Sequence, residues 1–402
     1  MNDKQKKLLL LGGASFLRPV IREAHALGIY VITCDYLPDN AAHKLSDQYL
    51  NISILDKDAV LEAARELQID GVMSFACDPG VVTAAYVAEK LSLPSPGSYE
   101  STCILQDKGR FRAFLRENGF TVPWAHRYTD KQAALHDVKN FTWPCIVKPV
   151  DSAGSKGVKR VDSSFELEAA IDYALEFSHG GAFIIEQFIR QQGYSSDTDC
   201  FVRDGELVYC SFDEQRFDRA AENPYTPAAY SWPSSMPDAI QAELRSELQR
   251  LMTLLHIGTG VFNIETRQGT DGRAYIMECT PRGGGNRLSE VLEMATGVKL
   301  VQNAVLASVG LPVDEMSDPV YQGQWAEIIL HSDREGAYQS MHIDPAVMSY
   351  VVEEDYWVMP GEQIERFSGA NKAIGTLVLN FPDRETLEKY MSDDFWYQVI
   401  VS

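Results

Sequence analysis

The segment Val261-Phe262-Asn263-Ile264-Glu265-Thr266-Arg267-Gln268-Gly269-Thr270-Asp271-Gly272-Arg273-Ala274-Tyr275-Ile276-Met277-Glu278-Cys279-Thr280-Pro281-Arg282-Gly283-Gly284-Gly285-Asn286 decides how the rest of the chain is read. Two apolar runs flank a turn built from Gly269, Asp271 and Gly272, which is the composition of a β-hairpin. With the turn centred on Thr270 and Asp271, residue 263 faces 278 and residue 265 faces 276. Glu265 and Glu278 are then diagonal neighbours on one sheet face, about 7–8 Å apart. A divalent ion can bridge that gap with one carboxylate on each side, and hard oxygen donors suit Mg²⁺, with Mn²⁺ as an alternative. Outward glutamates on a hairpin commonly bind nothing. The sequel to Glu278 weighs against that plain reading: a rigid Pro281, an anion-binding Arg282 and a pliable glycine run follow directly.

Upstream, Cys145-Ile146-Val147-Lys148-Pro149 reads as a buried strand within Phe141 to Val150, where a lysine makes sense if it meets a phosphate. Asp151-Ser152-Ala153-Gly154-Ser155-Lys156-Gly157 can turn backbone N–H groups and two hydroxyls toward an anion, although it lacks the Walker spacing. The strand Phe183 to Ile189, with Glu186, Gln187, Phe188 and Ile189 at its end, could line an apolar slot for a flat base; a plain core strand has the same periodicity.

At 402 residues the chain can hold two or three domains. Its 36 Lys and Arg against 57 Asp and Glu give a formal charge of −21, which argues against nucleic acid as the main partner. The apolar run Leu8 to Leu11 ends at Gly12-Gly13, too short for a signal core or a membrane span. Seven cysteines without a CxxC pair suggest a reduced, cytoplasmic protein. The first hundred residues alternate strands (7–11, 30–34, 71–75) with helices (18–27, 57–67), the pattern of a parallel sheet covered on both faces. Leu93-Pro94-Ser95-Pro96-Gly97 marks the exit from this domain. Helices are expected over 108–118, 164–177 and 238–256, strands over 200–212, 324–331 and 373–380, and a helix after Pro382. Arg216, Arg219, Tyr225 and Tyr230, within 212–230, could face a substrate or decorate an ordinary loop.

The order of a lysine strand, a glycine-serine loop, a base-lining strand, paired carboxylates and an arginine resembles the ATP-grasp superfamily. The opening Leu9-Leu10-Leu11-Gly12-Gly13, with Asp35 and Asp70 to Ser74, is similar to the domain preceding it in carboxylate-amine ligases. Those include ligases of purine synthesis resembling phosphoribosylglycinamide synthetase, carbamoyl phosphate synthase and amino-acid ligases. The resemblance implies a mixed α/β and α+β fold: a Rossmann-like parallel-sheet domain over 1–105, an ATP-grasp domain over 106–312 holding ATP between two subdomains, and a C-terminal α+β region over 313–402. It implies that Lys108 and Lys148 hold phosphates, Ser152 to Gly157 (including Gly154 and Ser155) close over them, and Glu186 to Ile189 read adenine. Glu265 and Glu278 would bind Mg²⁺, and Arg282 would steady an acyl phosphate. Substrates would be a small carboxylate and an amine, with neither membrane nor nucleic acid involved and a homodimer as the expected assembly.

Two positions depart from the pattern. No glutamate for ribose stands within Gly193-Tyr194-Ser195-Ser196-Asp197, and Thr280 replaces a metal-binding asparagine. They leave room for a catalytically silent ATP-binding sensor or partner subunit. The glycine turn also admits a nicotinamide-dependent dehydrogenase, though without the GxGxxG spacing.

Overall fold

The computed structural model describes residues 5–152, 154–221, 223–392 and 396–402. The chain opens as a four-stranded parallel sheet in the order Gln48–Leu50, Tyr30–Cys34, Lys7–Leu11, Gly71–Ser74. Leu8 to Leu11 are fully buried, as a central parallel strand requires. Leu9 and Leu11 pack with Ile32, Val60 and Val87 on one side, while Leu8 and Leu10 pack with Val20 and Val305 on the other. The helix Lys57–Leu67 begins where Asp56 accepts a hydrogen bond from the Ala59 N–H. An additional helix, Asp78–Leu91, starts with a proline in its first turn; it is apolar on most faces and so carries little amphipathic signal. The Pro94 to Gly97 stretch packs firmly, with the Pro96 carbonyl accepting from Gly258 N–H.

Three antiparallel sheets follow. The first has the order Ala125–Tyr128, Phe183–Gln187, Cys145–Pro149, Lys159–Val161. Its side chains alternate: Cys145, Val147, Phe183 and Ile185 face the helix Leu167–Glu176, leaving Lys148, Ile184 and Glu186 for the opposite face. The second has the order Glu206–Cys210, Ser196–Arg203, Gly260–Gln268, Ala274–Thr280, and rests Val202, Phe262 and Ile264 on the helix Asp238–Leu254. The third, of five strands, runs Glu214–Phe217, Pro227–Trp232, Gln324–Leu330, Gly375–Phe381, Val351–Tyr356. One face of it, with Trp232, Trp325 and Val378, belongs to the same core as Leu8 and Leu10, so the C-terminal region and the first sheet share an interior.

The C-terminal strands expected at 324–331 and 373–380 are present as Gln324–Leu330 and Gly375–Phe381, and the helix after Pro382 is Arg384–Met391. The parallel sheet at the start and antiparallel sheets elsewhere give the mixed α/β and α+β class that was expected. Among the described residues no helix is long and apolar enough to cross a membrane.

Candidate active site

The carboxylate hairpin forms, but its register differs from the simple turn. Gln268 pairs with Ala274, and Glu265 lies directly opposite Glu278, not diagonal to it. The turn closes one residue later than expected, with Gly269 N–H bonded to the Arg273 carbonyl. That shift alone would point the two glutamates to opposite faces. A bulge at Met277, between the pairs Glu265–Glu278 and Thr266–Ile276, supplies the second offset and returns Glu278 to the face of Glu265.

Register with the neighbouring strand extends this row. Asp197 pairs with Glu265, so Asp197, Glu265 and Glu278 stand side by side across three strands; the next row is Asp199, Asn263 and Thr280. Burial, and then Glu265 beside it, push the Asp197 carboxyl up to about 7. Asp199 accepts from Gly284 N–H at 2.8 Å and from the Ser289 hydroxyl. Among the described residues no three metal-ligating side chains converge on one point. Two partly open carboxylates therefore fit an ion that also takes oxygens from a ligand or water, the usual manner of Mg²⁺.

The wall opposite is cationic. Lys108 Nζ lies 3.3 Å from Glu278 and donates to the Ser152 carbonyl at 3.0 Å. Burial works against the charge of Glu278, but Lys108, Lys148 and Arg112 outweigh it and hold its carboxyl below the ordinary range. Lys148 is not a free cation awaiting a phosphate, as its strand position suggested. Its Nζ contacts Glu186 at 2.7 Å, and Arg112 Nε donates to the same carboxylate at 2.8 Å. Desolvation opposes ionisation of Glu186, yet Arg112 and Lys148 hold its pKa at about 2. The Glu186 side chain is thus a buried counterion on the cleft face of its strand. Arg112 spans the cleft by donating also to the Met277 carbonyl at 2.7 Å, while its buried Nη2 has no partner. An orphaned donor between two sheets is what a bound ligand would satisfy.

At the strand end, the backbone N–H of Gln187 donates to Trp124 at 2.9 Å and that of Phe188 to Pro144 at 3.4 Å. Ile189 joins Tyr275 and Met277 in a small apolar cluster bridging the two sheets. In the glycine-serine loop, Ala153 lies outside the described residues. Asp151 accepts from Ser178, His179 and Gly180, so it anchors the loop instead of facing an anion. Ser155, at φ +57°, donates its hydroxyl to the Tyr225 carbonyl at 2.9 Å, and Gly154 and Gly157 also take positive φ. The loop is held against the segment around Tyr225.

Arg282 makes a two-pronged contact with Asp78 of the first domain, at 2.9 and 3.0 Å. The glycines behind it serve close approach more than pliability: a Cβ on Gly283 would lie 2.2 Å from the Phe75 ring, and one on Gly284 would lie 2.9 Å from Asp199. Arg216 pairs with Glu214 and Glu388 and stacks on Tyr194, a structural role, whereas Tyr230 reaches Asp197 at 3.4 Å. Ser195 and Ser196 are buried and engaged with Gln215 and Asp213, so neither offers a hydroxyl to a ribose. Asp78, Arg112 and Asp197 escaped the sequence reading; only Asp197, beside the missing glutamate, lay in a stretch already singled out.

Residues 141–290, which hold Lys148, the glycine-serine loop and both hairpin glutamates, match the family profile of the ATP-grasp domain. The chain contains an ATP-grasp domain. Among curated relatives, the carbamoyl phosphate synthase large chain of Thermotoga petrophila is 26% identical over 258 residues, covering 64% of this chain but 23% of that protein. The chain thus spans about a quarter of the length of such relatives. The formate-dependent phosphoribosylglycinamide formyltransferase of Mycolicibacterium smegmatis is 26% identical over 365 residues, covering 86% of this chain and 87% of that one. Among solved structures, L-amino acid ligase from Bacillus licheniformis superposes over the whole of both chains with a TM-score of 0.80 at 20% identity. N5-carboxyaminoimidazole ribonucleotide synthetase from Thermotoga maritima gives a TM-score of 0.74 at 18% identity, over 99% of this chain and 100% of that one. These neighbours establish the ATP-grasp ligase fold along the full length.

The glycine turn after the first strand offers no cradle for a dinucleotide. A Cβ on Gly13 would lie 2.5 Å from the His43 ring, so the chain's own residues fill that space.

Proposed function

We propose that this protein is an ATP- and Mg²⁺-dependent ligase that activates a small carboxylate as its acyl phosphate and joins it to an amine. The observation that carries the reading is the meeting of Glu278, in its acidic row, with the cations Lys108, Arg112 and Lys148 from the facing wall. Carboxylates for a metal and cations for a polyphosphate are brought together at the mouth of one cleft. Glu265 and Glu278 would hold Mg²⁺, which neutralises phosphate charge during phosphoryl transfer; the same oxygens would accept Mn²⁺. Lys108 is placed to hold phosphate oxygens and, through the Ser152 carbonyl, to couple them to the position of the loop. Arg112 would present its unpartnered Nη2 to the nucleotide while Glu186 keeps both it and Lys148 fixed. Phe188 and Ile189 would line the base, and Arg282 would exchange part of its contact with Asp78 for the acyl phosphate. Positioned charge of this kind supplies most of the catalysis in phosphoryl transfer. All seven cysteines are free, which suits a reducing cytoplasm.

The test is ADP release by the purified protein with ATP, Mg²⁺ and a matrix of carboxylates and amines. The ligase reading expects release that needs one member of each class and an amide in the products. Nucleotide binding with no ADP release across the matrix would favour the silent sensor instead.

A further inference from the structure

A cavity of about 280 Å³ lies beyond the glycine run, between the start of the helix Arg18–Ala26 and the strand Val351–Tyr356. Gly284 forms part of its wall, so it adjoins the acidic row through the same loop that leaves Glu278. Its volume is at the lower edge of small-molecule sites, enough for a compact metabolite and too little for a nucleotide.

Its charges are balanced and segregated. Arg18, Arg22 and Arg287 face Glu290, Glu353 and Asp355. Arg287, held at φ +63°, is committed to Glu290 and Glu353 at 3.3 and 2.5 Å and to Thr376 at 3.1 Å. Arg22 contacts Glu23 and Glu290. Arg18 has no ion-pair or hydrogen-bond partner among the described residues, and it stands exposed at the rim. Between the charged ends, Phe16 and Trp357 meet edge to face with centroids 5.7 Å apart. Behind the wall, burial pushes the Glu327 carboxyl well above the ordinary range, so it adds no charge.

A dianionic phosphate would meet three carboxylates here, and a simple cation would leave Arg18 unused. A ligand with one carboxylate, one ammonium and an uncharged side chain satisfies all three features. We infer that the cavity binds a free α-amino acid as a zwitterion, its carboxylate on Arg18, its ammonium against Glu353 and Asp355, and its side chain beside Phe16 and Trp357. With the carboxylate held by Arg18, the amine is the group left to react, so the amino acid is the amine substrate. This rests on the ligase reading: the amine nitrogen bonds to the acyl carbon as that carbon's bond to the phosphate oxygen breaks. Phosphate leaves with the electron pair, and the nitrogen's surplus protons pass to the wall carboxylates or to water.

The test is calorimetric titration of the full chain, saturated with Mg²⁺ and a non-hydrolysable ATP analogue. The probes are L-alanine, L-leucine and L-phenylalanine, their methyl esters and N-acetyl forms, and phosphoethanolamine. At least one free amino acid is expected to bind, with both its ester and its N-acetyl form weaker by tenfold or more. Arg18→Ala should weaken it at least tenfold and Arg18→Lys by less, with analogue affinity unchanged in both; Arg18 is exposed, so the fold should survive. Retained analogue binding with no amino-acid binding, with tighter binding of phosphoethanolamine, or with an Arg18→Ala variant that binds normally would overturn the inference and leave the ligase reading intact. Failure of the analogue itself to bind would overturn the ligase reading and this inference with it.

Discussion

Replacing Glu186 by Gln removes one charge from a site where two cations have no other acidic partner so near. In the folded chain Arg112 and Lys148 hold this carboxyl at about 2, against an ordinary value of 4.5. Linkage makes that difference worth about 3 kcal/mol of stability at neutral pH. A second argument gives the same scale: removing one partner of a buried ion pair costs about 3–5 kcal/mol, because the remaining charge is left uncompensated. The sign follows from the lowered folded value. The contribution is fully present above pH 4.5 and fades as the pH falls toward 2. Urea unfolding followed by tryptophan fluorescence should show Glu186→Gln losing its transition near pH 7 by roughly 1 M urea, for a slope of about 3 kcal/mol/M. Between pH 4.5 and 2 the two proteins should converge, since the wild type then loses the contribution the variant already lacks. Equal midpoints at pH 7 would refute the charge assignment, as would parallel acid profiles offset by a constant amount.

Lys148→Met should weaken Mg·ATP binding at least tenfold and also lower the unfolding midpoint, since Glu186 loses a 2.7 Å partner; normal affinity in a calorimetric titration would remove Lys148 from the nucleotide site. Glu265→Gln and Glu278→Gln should each reduce ATP turnover by orders of magnitude, with the double variant little worse than the poorer single one and partial rescue by raised Mg²⁺. Wild-type rates in both single variants at limiting Mg²⁺ would remove the metal assignment. Gly284→Ala should cost about 1–3 kcal/mol, because its Cβ would lie 2.6 Å from Leu288 and 2.9 Å from Asn263, and an unchanged thermal midpoint would contradict the packing. Protease cleavage between Asp151 and Gly157 should slow when Mg·ATP is added, because Lys108 ties the Ser152 carbonyl to the phosphate region; equal cleavage with and without nucleotide would count against a closing loop.

What could be read from the sequence divides along a physical line. Leu8 to Leu11 announced a buried strand because parallel strands need apolar residues on both faces. The two glutamates stood out because charge inside apolar runs is conspicuous. Their common face was legible, but the register was not: Ala274-Tyr275-Ile276-Met277 is unbroken apolar sequence, and nothing in it marks Met277 as the extra residue. Partnerships across the fold were equally hidden. Lys148 and Glu186 were each noticed as single strand residues, and only the antiparallel pairing of Lys148 with Ile184 brings them together. Arg112, in a helix with Lys108, Arg110 and Arg116, read as one more solvated cation until the helix was seen to bury it to 2% exposure.

These partnerships bear on how the cleft would accept its ligand. Lys108 sits on Glu278, Arg267 on Glu265, Lys148 on Glu186 and Arg282 on Asp78, so these four cations already have a carboxylate partner. Binding is therefore an exchange of partners, not the filling of bare charge. A polyphosphate alone would have to draw Lys108 from Glu278 and leave that carboxylate unpaired in a half-buried site. A divalent ion alone would face Lys108 and Arg267 competing for the two glutamates. Arriving together, the ion takes the carboxylates and the phosphates take the lysine, so no charge is left without an opposite. The geometry thus expects nucleotide and Mg²⁺ to strengthen each other's binding by the same factor, as linkage requires. Equal nucleotide affinity with and without Mg²⁺ would show that these ion pairs stay closed during binding, with the acidic row playing no part.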